Sequence, residues 1–312
     1  MYDWQKLTEE FRYYLKIERS LSINTQEAYL TDCRRFALFM QEKYPDVTPQ
    51  DILPLHADAF VNSLLVFKGK DDETKLLQAA SQMRIIQSLR AFFKYLLVTD
   101  VIQRDIGRLL DVPKLPQKLP EILSDSEIRR MIDAIDASTY FGYRNKTIIE
   151  LMYATGLRVS ELVNLKFENI VFNEEYLIIK GKGDKVRYVP AARKVLDGLK
   201  VYIDKYRSDI EVKPKANDYV FISYKLKSKM TRQFVNKMLN ETALKAGISK
   251  KIHPHILRHS FATELIRSGA NLIAVKEMLG HSSVRTTEVY INLKTSDLTA
   301  MMEKCHPFYR KD

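Results

Sequence analysis

A proline-rich stretch at residues 111–123 constrains the fold of this chain more than any other feature. Its sequence is DVPKLPQKLPEIL, with prolines at positions 113, 116 and 120. Proline fixes φ and cannot donate a backbone hydrogen bond, so this spacing forbids a regular helix and favours an extended, semi-rigid connector. The sequence therefore predicts two domains, at residues 1–110 and 124–312, joined by this linker.

The distribution of charge changes near the same boundary. Residues 1–110 carry 15 Lys and Arg against 15 Asp and Glu, or 15 − 15 = 0, whereas residues 111–312 carry 35 against 24, or 35 − 24 = +11. Clustered cations gain free energy by releasing counterions from nucleic acid, so this asymmetry favours a polyanionic partner. A basic surface that only maintains solubility is the alternative.

The composition is typical of an ordinary globular protein. Hydrophobic residues make up 46% of the chain, and the apolar runs are short and interrupted by charge. The first residues lack the layout of a signal peptide, so we expect a cytoplasmic protein without membrane association. The two cysteines, Cys33 and Cys305, are far apart and outside metal-binding spacings, which indicates reduced thiols.

Apolar periodicity predicts an all-helical first domain. A helical pattern begins at Trp4, and Ser22 and Asn24 are candidate caps of the second helix. The charged stretch at 68–75 indicates a solvated loop. The four predicted helices cover residues 4–15, 25–44, 56–67 and 79–98.

The second domain is predicted to be mainly helical with a small β-sheet. Ser124 and Glu127 match a capping box at the start of a helix, and residues 145–165 suggest two helices divided at Gly156. Residues 175–190, EYLIIKGKGDKVRYVP, are typical of a β-hairpin. The pattern after this hairpin is helical again, to about residue 304.

Two cations in this domain are candidates for phosphate chemistry. Arg158 stands at the start of a predicted helix, where a guanidinium can offer a planar donor fork to phosphate oxygens, although a surface pair with Glu161 is an alternative. Lys182 stands at the predicted hairpin tip and could donate a proton. An ordinary solvated turn also explains it, and Lys180 and Lys185 compete for the role.

The sequence HPHILRHSFAT at 253–263 places His255 and Arg258 on one face near a helix N-terminus. Backbone N–H groups and the helix dipole there favour an anion. A buried histidine bonded to a backbone carbonyl explains His259 at least as well as a direct role. His255 and His259 also have the spacing of a metal pair, but position 256 is Ile256 rather than Glu, so we expect no metal site.

His281 and Tyr290 complete the set of candidates. Five of the six histidines fall between positions 253 and 306, and an imidazole at 281 could donate to a phosphate or accept a proton. Tyr290 is one of 17 tyrosines, and core packing is its default explanation. Nine residues span about two and a half helical turns, so the two side chains converge only if Gly280 and residues 282–283 break the helix.

Four motifs, taken in order, resemble the tyrosine recombinase (phage integrase) family, specifically its bacterial Xer-type members. ERSLSINTQEAY also resembles the family's N-terminal core-binding domain, and PKLPQKLPEILSDSEI its interdomain linker. The resemblance covers nearly the whole chain and implies an all-helical DNA-clamping domain followed by a mixed α/β catalytic domain. The four motifs are TGLRVSEL, GKGDKVRYVP, HPHILRHSFAT and LGHSSVRTTEVY.

The resemblance implies a role for each candidate. Arg158 and Arg258 would bind the non-bridging oxygens of the scissile phosphate, assisted by His255 and His281, although the position of His281 in the family also allows a packing role. Lys182 would protonate the departing 5′ oxygen. Tyr290 would attack phosphorus and form a 3′-phosphotyrosyl DNA intermediate. We expect no cofactor and no metal ion.

The resemblance also implies partners and a biological role. Double-stranded DNA would be the substrate, bound by a homo- or heterotetramer on two DNA sites, and a C-terminal helix within 295–312 would dock on a neighbouring protomer. Chromosome dimer resolution and segregation is the preferred role, with mobile-element or phage-type integration as the alternative. A non-catalytic DNA-binding protein and a metal-dependent nuclease are further alternatives. The need for a second recombinase or a septal DNA translocase stays open.

Overall fold

The computed structural model describes residues 3–17, 21, 23–64, 66–68, 74–76, 79–110, 121–181, 186–280 and 295–309. The chain divides into two compact units, Met1–Lys118 and Leu119–Asp312. Each unit has its own hydrophobic core. Most of the predicted linker, residues 111–120, lies outside the described residues. Among the helices that are described, none is long and apolar enough to cross a membrane.

The first unit is built mainly from helices. The predicted helices at 4–15, 25–44 and 79–98 are confirmed. Their apolar faces form a core in which Phe11 and Phe92 meet edge to face, with ring centroids 5.2 Å apart. The candidate caps Ser22 and Asn24 lie outside the described residues or side chains. The helices are α1 (Trp4–Ile17), α2 (Ile23–Lys43), α3 (Pro54–Ser63) and α4 (Ala79–Val98).

A short hairpin interrupts the helical pattern of this unit. The third predicted helix ends at Ser63, and β1 (Val66–Lys68) pairs antiparallel with β2 (Thr74–Leu76). The prediction that the third helix extends to residue 67 was therefore wrong. The predicted loop at 68–75 was wrong at both ends, because residues 68, 74 and 75 lie in strands. A short apolar run does not distinguish a helix from a strand, and its Val and Phe residues favour a strand.

The second unit combines eight described α-helices with two small antiparallel sheets. The helices are α5 (Asp125–Asp133), α6 (Tyr140–Thr155), α7 (Val159–Val163), α8 (Arg193–Val201), α9 (Arg232–Lys245), α10 (Pro254–Arg267), α11 (Leu272–Leu279) and α12 (Thr295–Cys305). The strands are β3 (Ile170–Val171), β4 (Tyr176–Lys180) and β5 (Val186–Pro190) in one sheet, and β6 (Ile222–Ser223) and β7 (Ser228–Lys229) in the other.

The fold class is confirmed as mainly α with a small β-sheet, including the hairpin of β4 and β5. The predicted continuous helical pattern after residue 190 was wrong at β6 and β7. These two-residue strands are too short to produce a detectable alternation of apolar and polar positions. Strand β3 also went unpredicted for the same reason.

Two local signals set where the first helix of the second unit begins and where its second helix ends. The predicted capping box is present, since Ser124 Oγ accepts from the N–H of Glu127 at 3.2 Å and Ser124 N–H donates to the Glu127 carboxylate at 2.9 Å. Gly156 ends α6 with φ of 62°, a left-handed conformation. A Cβ there would lie 2.5 Å from Phe261 Cδ1, so glycine also permits the close approach of α10.

The C-terminal helix packs on its own chain. Leu298, Met302 and Cys305 of α12 are buried in the core of the second unit. Tyr309 beyond the helix donates a hydrogen bond to the carbonyl of Pro190 at 2.7 Å. Docking of this helix on a neighbouring protomer concerns an assembly and stays a prediction. Both Cys33 and Cys305 are buried free thiols.

Candidate active site

Arg258 is a buried cation at the centre of the candidate site. It lies on α10, and only 7% of the residue is exposed. Nη1 donates to the carbonyl of Gly156 at 2.7 Å, and Nη2 donates to the carbonyl of Leu279. Burial and then the neighbouring charge of Arg158 lower the pKa of Arg258 to about 10. The guanidinium is therefore still charged at neutral pH.

Arg158 lies beside Arg258, immediately before α7. Nη2 donates to the carbonyl of Gly280 at 3.0 Å, and Nη1 donates to the Glu161 carboxylate at 2.9 Å. One third of its side chain is accessible. The two arginines thus hold adjacent carbonyls at the C-terminal end of α11, where the helix dipole favours positive charge. The structure brings Arg158 and Arg258 together although 100 positions separate them in the sequence.

A buried carboxylate organises this cationic cluster. The Glu161 side chain is only 6% accessible, so the surface pair considered for Arg158 is in fact an internal one. Glu161 accepts from the backbone and the side chain of Arg158 and from both Nη atoms of Arg187. Burial raises the pKa of the Glu161 carboxyl, but hydrogen bonds and charge from Arg187 and Arg158 outweigh it and leave the pKa below its ordinary value.

His255 lies one residue into α10, on the helix that carries Arg258. It is exposed, and its ring centroid is 6.2 Å from that of His253. Pro254 occupies the first position of this helix, where its missing N–H would have no partner within the helix. His259 is also exposed, so the buried-histidine explanation offered for it was wrong. The position of His255 at a helix start leaves its imidazole accessible to a ligand.

Three predicted site residues lie outside the described part of the chain: Lys182, His281 and Tyr290. The residues that flank them are described. Lys180 ends β4 and Val186 begins β5, on the two sides of the hairpin tip. Gly280 ends α11 with φ of 64°, immediately before position 281. The break that would let His281 and Tyr290 converge falls outside the described residues.

Sequence reasoning missed Arg187 and the true environment of Glu161. Arg187 lies within the motif GKGDKVRYVP, but nothing in the sequence distinguishes it from the solvated cations of a hairpin. A weak signal existed, since Glu161 is three residues after Arg158 and the carboxylate of a capping-box glutamate reaches back to its helix start. The internal position of Glu161 depends on Arg187 of β5, which in turn bonds to Met278 of α11, and both segments are distant from Glu161 in sequence.

Comparison with known proteins identifies the fold and the chemistry. The Phage integrase family matches residues 121–297, and the Phage integrase N-terminal SAM-like domain matches residues 8–99. The chain is 34% identical over 303 residues to Tyrosine recombinase XerD of Staphylococcus aureus, which covers 97% of this chain and 99% of that protein. The chain belongs to the phage integrase family.

Solved structures agree on the fold of this recombinase. The XerH recombinase bound to a palindromic difH substrate in a post-cleavage complex has a TM-score of 0.68 at 24% identity, covering 95% of this chain and 84% of that one. A lambda integrase tetramer bound to a Holliday junction has a TM-score of 0.66 at 19% identity, and the match covers 94% of this chain and 81% of that one. The chain is thus a DNA-binding tyrosine site-specific recombinase of Xer type.

Proposed function

We propose that this recombinase cleaves DNA with a six-residue site and rejoins it through a 3′-phosphotyrosyl intermediate. The observation that carries the proposal is the pair formed by Arg158 and Arg258, whose guanidinium groups donate to the adjacent carbonyls of Gly280 and Leu279. Two guanidinium groups held on adjacent carbonyls can offer donors to the two non-bridging oxygens of one phosphate. The six proposed residues are Arg158, Lys182, His255, Arg258, His281 and Tyr290.

The proposed chemistry is a transesterification. Tyr290 Oη attacks phosphorus, the bond from phosphorus to the 5′ oxygen breaks, and Lys182 protonates that oxygen. The pentacoordinate transition state carries more negative charge than the phosphodiester, so fixed cations stabilise it more than the ground state. Arg158 and Arg258 supply this stabilisation, and His255 and His281 donate further hydrogen bonds.

Rejoining follows from the same geometry. The phosphotyrosyl bond conserves the free energy of the phosphodiester, so a 5′ hydroxyl from a partner strand can reverse the reaction without ATP. The two guanidinium groups act equally in both directions because the transition states are equivalent. A protein with this site therefore exchanges strands instead of degrading DNA.

A nicked duplex tests this function. The substrate carries a site that the purified protein selects from a random-sequence pool, with a nick that lets the short 5′-hydroxyl fragment dissociate after cleavage. The wild-type protein should form a covalent adduct in the presence of EDTA, and Tyr290→Phe should bind the duplex without forming it. An adduct that persists in Tyr290→Phe, or that never forms with the wild type, would contradict the proposal; an EDTA-sensitive cleavage without adduct would favour the nuclease alternative.

For the biological role, we infer chromosome dimer resolution and segregation. The support is the similarity to Tyrosine recombinase XerD over 97% of this chain and 99% of that protein, in a chain of two units that are each compact. Integration of a mobile element or phage is the alternative. Mapping the DNA bound by the protein in its native cell distinguishes them, since one chromosomal site would support resolution and element ends would support integration.

The proposed assembly is four protomers on two DNA duplexes, composed of one recombinase or of two. The lambda integrase tetramer on a Holliday junction supports this arrangement by its similar fold. In each protomer the helical unit and the basic unit would clamp the duplex, and α12 would move from its own core to that of a neighbour. Deleting residues 295–312 tests the helix, because unchanged synaptic assembly would count against exchange. Dependence on a septal DNA translocase is part of the chromosomal proposal and is tested in the native cell.

A further inference from the structure

Arg187 connects three segments of the second unit that carry the proposed site residues. It lies on β5, opposite Ile179 of β4, in the hairpin whose tip contains Lys182. Its side chain is 12% accessible. Nη1 and Nη2 each donate to one oxygen of the Glu161 carboxylate at 2.8 Å, and Nε donates to the carbonyl of Met278 at 2.7 Å. One guanidinium therefore joins the hairpin, the start of α7 and the end of α11.

The first connection controls Arg158. Glu161 accepts from the backbone N–H of Arg158 at 2.8 Å and from its Nη1 at 2.9 Å. A carboxylate paired with Arg158 alone would neutralise the charge that has to bind phosphate. Because Arg187 occupies both oxygens of Glu161, the carboxylate is shared, and its two guanidinium partners together leave a net positive charge.

The second connection controls the end of α11. Three successive carbonyls, of Met278, Leu279 and Gly280, each accept a hydrogen bond from a different arginine, namely Arg187, Arg258 and Arg158. A Cβ on Gly280 would lie 3.3 Å from Cδ of Arg187, so the glycine allows this close approach. These bonds fix the point from which the chain continues to His281.

We propose that Arg187 is a positioning residue for DNA strand cleavage, which holds Arg158 through Glu161 and holds the end of α11 through Met278. This inference rests on the proposed function. Arginine is required because its planar fork serves both carboxylate oxygens and a carbonyl together, whereas the single nitrogen of lysine cannot reproduce that geometry. The guanidinium of Arg187 is directed at Glu161 and Met278 rather than at the phosphate, so its loss should affect the rate of cleavage more than the affinity for DNA.

The test uses the full-length protein and the nicked duplex, at saturating protein concentration. Arg187→Lys and Arg187→Gln should lower the single-turnover rate of adduct formation by about 100-fold, the cost expected from a misplaced catalytic group. Their DNA affinity should stay close to that of the wild type, and the lysine variant should retain more activity than the glutamine variant. Arg193→Ala is the control, because Arg193 is an exposed arginine of the same unit whose ion-pair partners among the described residues are the surface carboxylates of Glu175 and Asp197.

Two further measurements separate positioning from a purely structural role. A double-mutant cycle combines Glu161→Gln with Arg187→Gln. The free-energy cost to adduct formation in the double variant should be much smaller than the sum of the costs in the two single variants, since both residues act on Arg158. Arg187→Gln should also acquire a cleavage rate that rises with pH, because Arg158 alone then opposes the burial that raises the pKa of Glu161. The wild-type rate should not show this rise.

The outcomes distinguish this inference from the proposed function. Wild-type cleavage rates in both Arg187 variants would overturn the inference and leave the function intact. Additive losses in the cycle, or parallel losses of melting temperature and DNA affinity, would also overturn it by reducing Arg187 to a structural residue. If the wild-type protein forms no adduct while Arg193→Ala and the wild type both bind the duplex, the proposed function fails, and the inference fails with it.

Discussion

The two units each contain a buried carboxylate paired with arginine, and the two carboxylates behave in opposite ways. Glu161 in the second unit is 6% accessible and accepts four hydrogen bonds from Arg158 and Arg187. Asp32 in the first unit is 1% accessible, and its Oδ2 accepts from Arg84 and from Ser88 Oγ. Its Oδ1 has no hydrogen-bond partner within the described residues.

The number of charged donors explains the difference. Burial disfavours the ionised form of both carboxyls. For Glu161 the arginines outweigh burial and leave the pKa lowered, whereas for Asp32 burial outweighs Ser88 and Arg84 and leaves the pKa raised. A carboxylate that stays ionised can hold two guanidinium groups in place. Asp32 lies on α2 and, within the described part of the chain, accepts from only one charged donor, Arg84 of α4, together with Ser88 of the same helix.

The largest expected effect is the loss of the Glu161 charge. Glu161→Gln leaves Arg158 and Arg187 close together without their counter-charge, so the free energy of unfolding should fall by about 3 kcal/mol. Urea unfolding followed by far-UV circular dichroism measures this. Adduct formation should fall as well, because the amide cannot accept all four hydrogen bonds.

Arg193→Ala is the control for this experiment, and it removes only exposed ion pairs. A Glu161→Gln protein as stable as this control would show that the buried carboxylate does not organise the cluster. The contrast with Asp32 would then lose its physical basis.

A smaller, pH-dependent effect is expected at Asp32. At neutral pH, Asp32→Asn should change the free energy of unfolding by less than about 1 kcal/mol, since it removes the cost of a buried charge, while the amide oxygen can still accept hydrogen bonds from Arg84 and Ser88. The folded-state pKa of Asp32 is raised from 3.8. The stabilisation from its protonated form is therefore complete below that value and is lost as pH rises through the folded pKa.

The contribution of Glu161 to the free energy of unfolding should change with pH in the opposite direction. Its pKa is lowered from 4.5, so its contribution is present above that value and is lost as pH falls through the folded pKa.

The prediction for Asp32 is measured by the fluorescence of Trp4, the single tryptophan. This fluorescence follows unfolding of the first unit in the full chain, because Trp4 is buried in that core. If lowering the pH destabilises the wild type relative to Asp32→Asn, the assignment for Asp32 is wrong.

The smallest effect is expected at Glu9, which also faces two arginines but in solvent. Glu9 contacts Arg34 at 2.6 Å and Arg12 at 3.5 Å, and its side chain is 56% accessible. Water and salt screen such pairs, so Glu9→Gln should change the free energy of unfolding by no more than about 0.5 kcal/mol. A loss similar to that of Glu161→Gln in the same urea experiment would show that burial is not what separates the two sites.

Much of the local structure could be predicted because it depends on neighbouring residues. The helices α1, α2 and α4, the capping box at Ser124 and the turn at Gly156 follow from periodicity, capping chemistry and glycine. The hairpin of β1 and β2 was missed because its strands are three residues long and adjoin a helix of similar apolar character. The pairing partner of such a strand, rather than its own sequence, decides its conformation.

The sequence by itself determined the residue types that suit phosphate chemistry, their order along the chain and the family that they resemble. Only the tertiary structure decided which groups meet: Arg158 and Arg258 at the end of α11, Glu161 as an internal carboxylate, and Arg187 as the link among them. The physical reason is that these contacts join segments up to 122 positions apart, as in the hydrogen bond from Arg158 to Gly280. A hydrogen bond between such segments depends on how the helices pack, which no local pattern encodes.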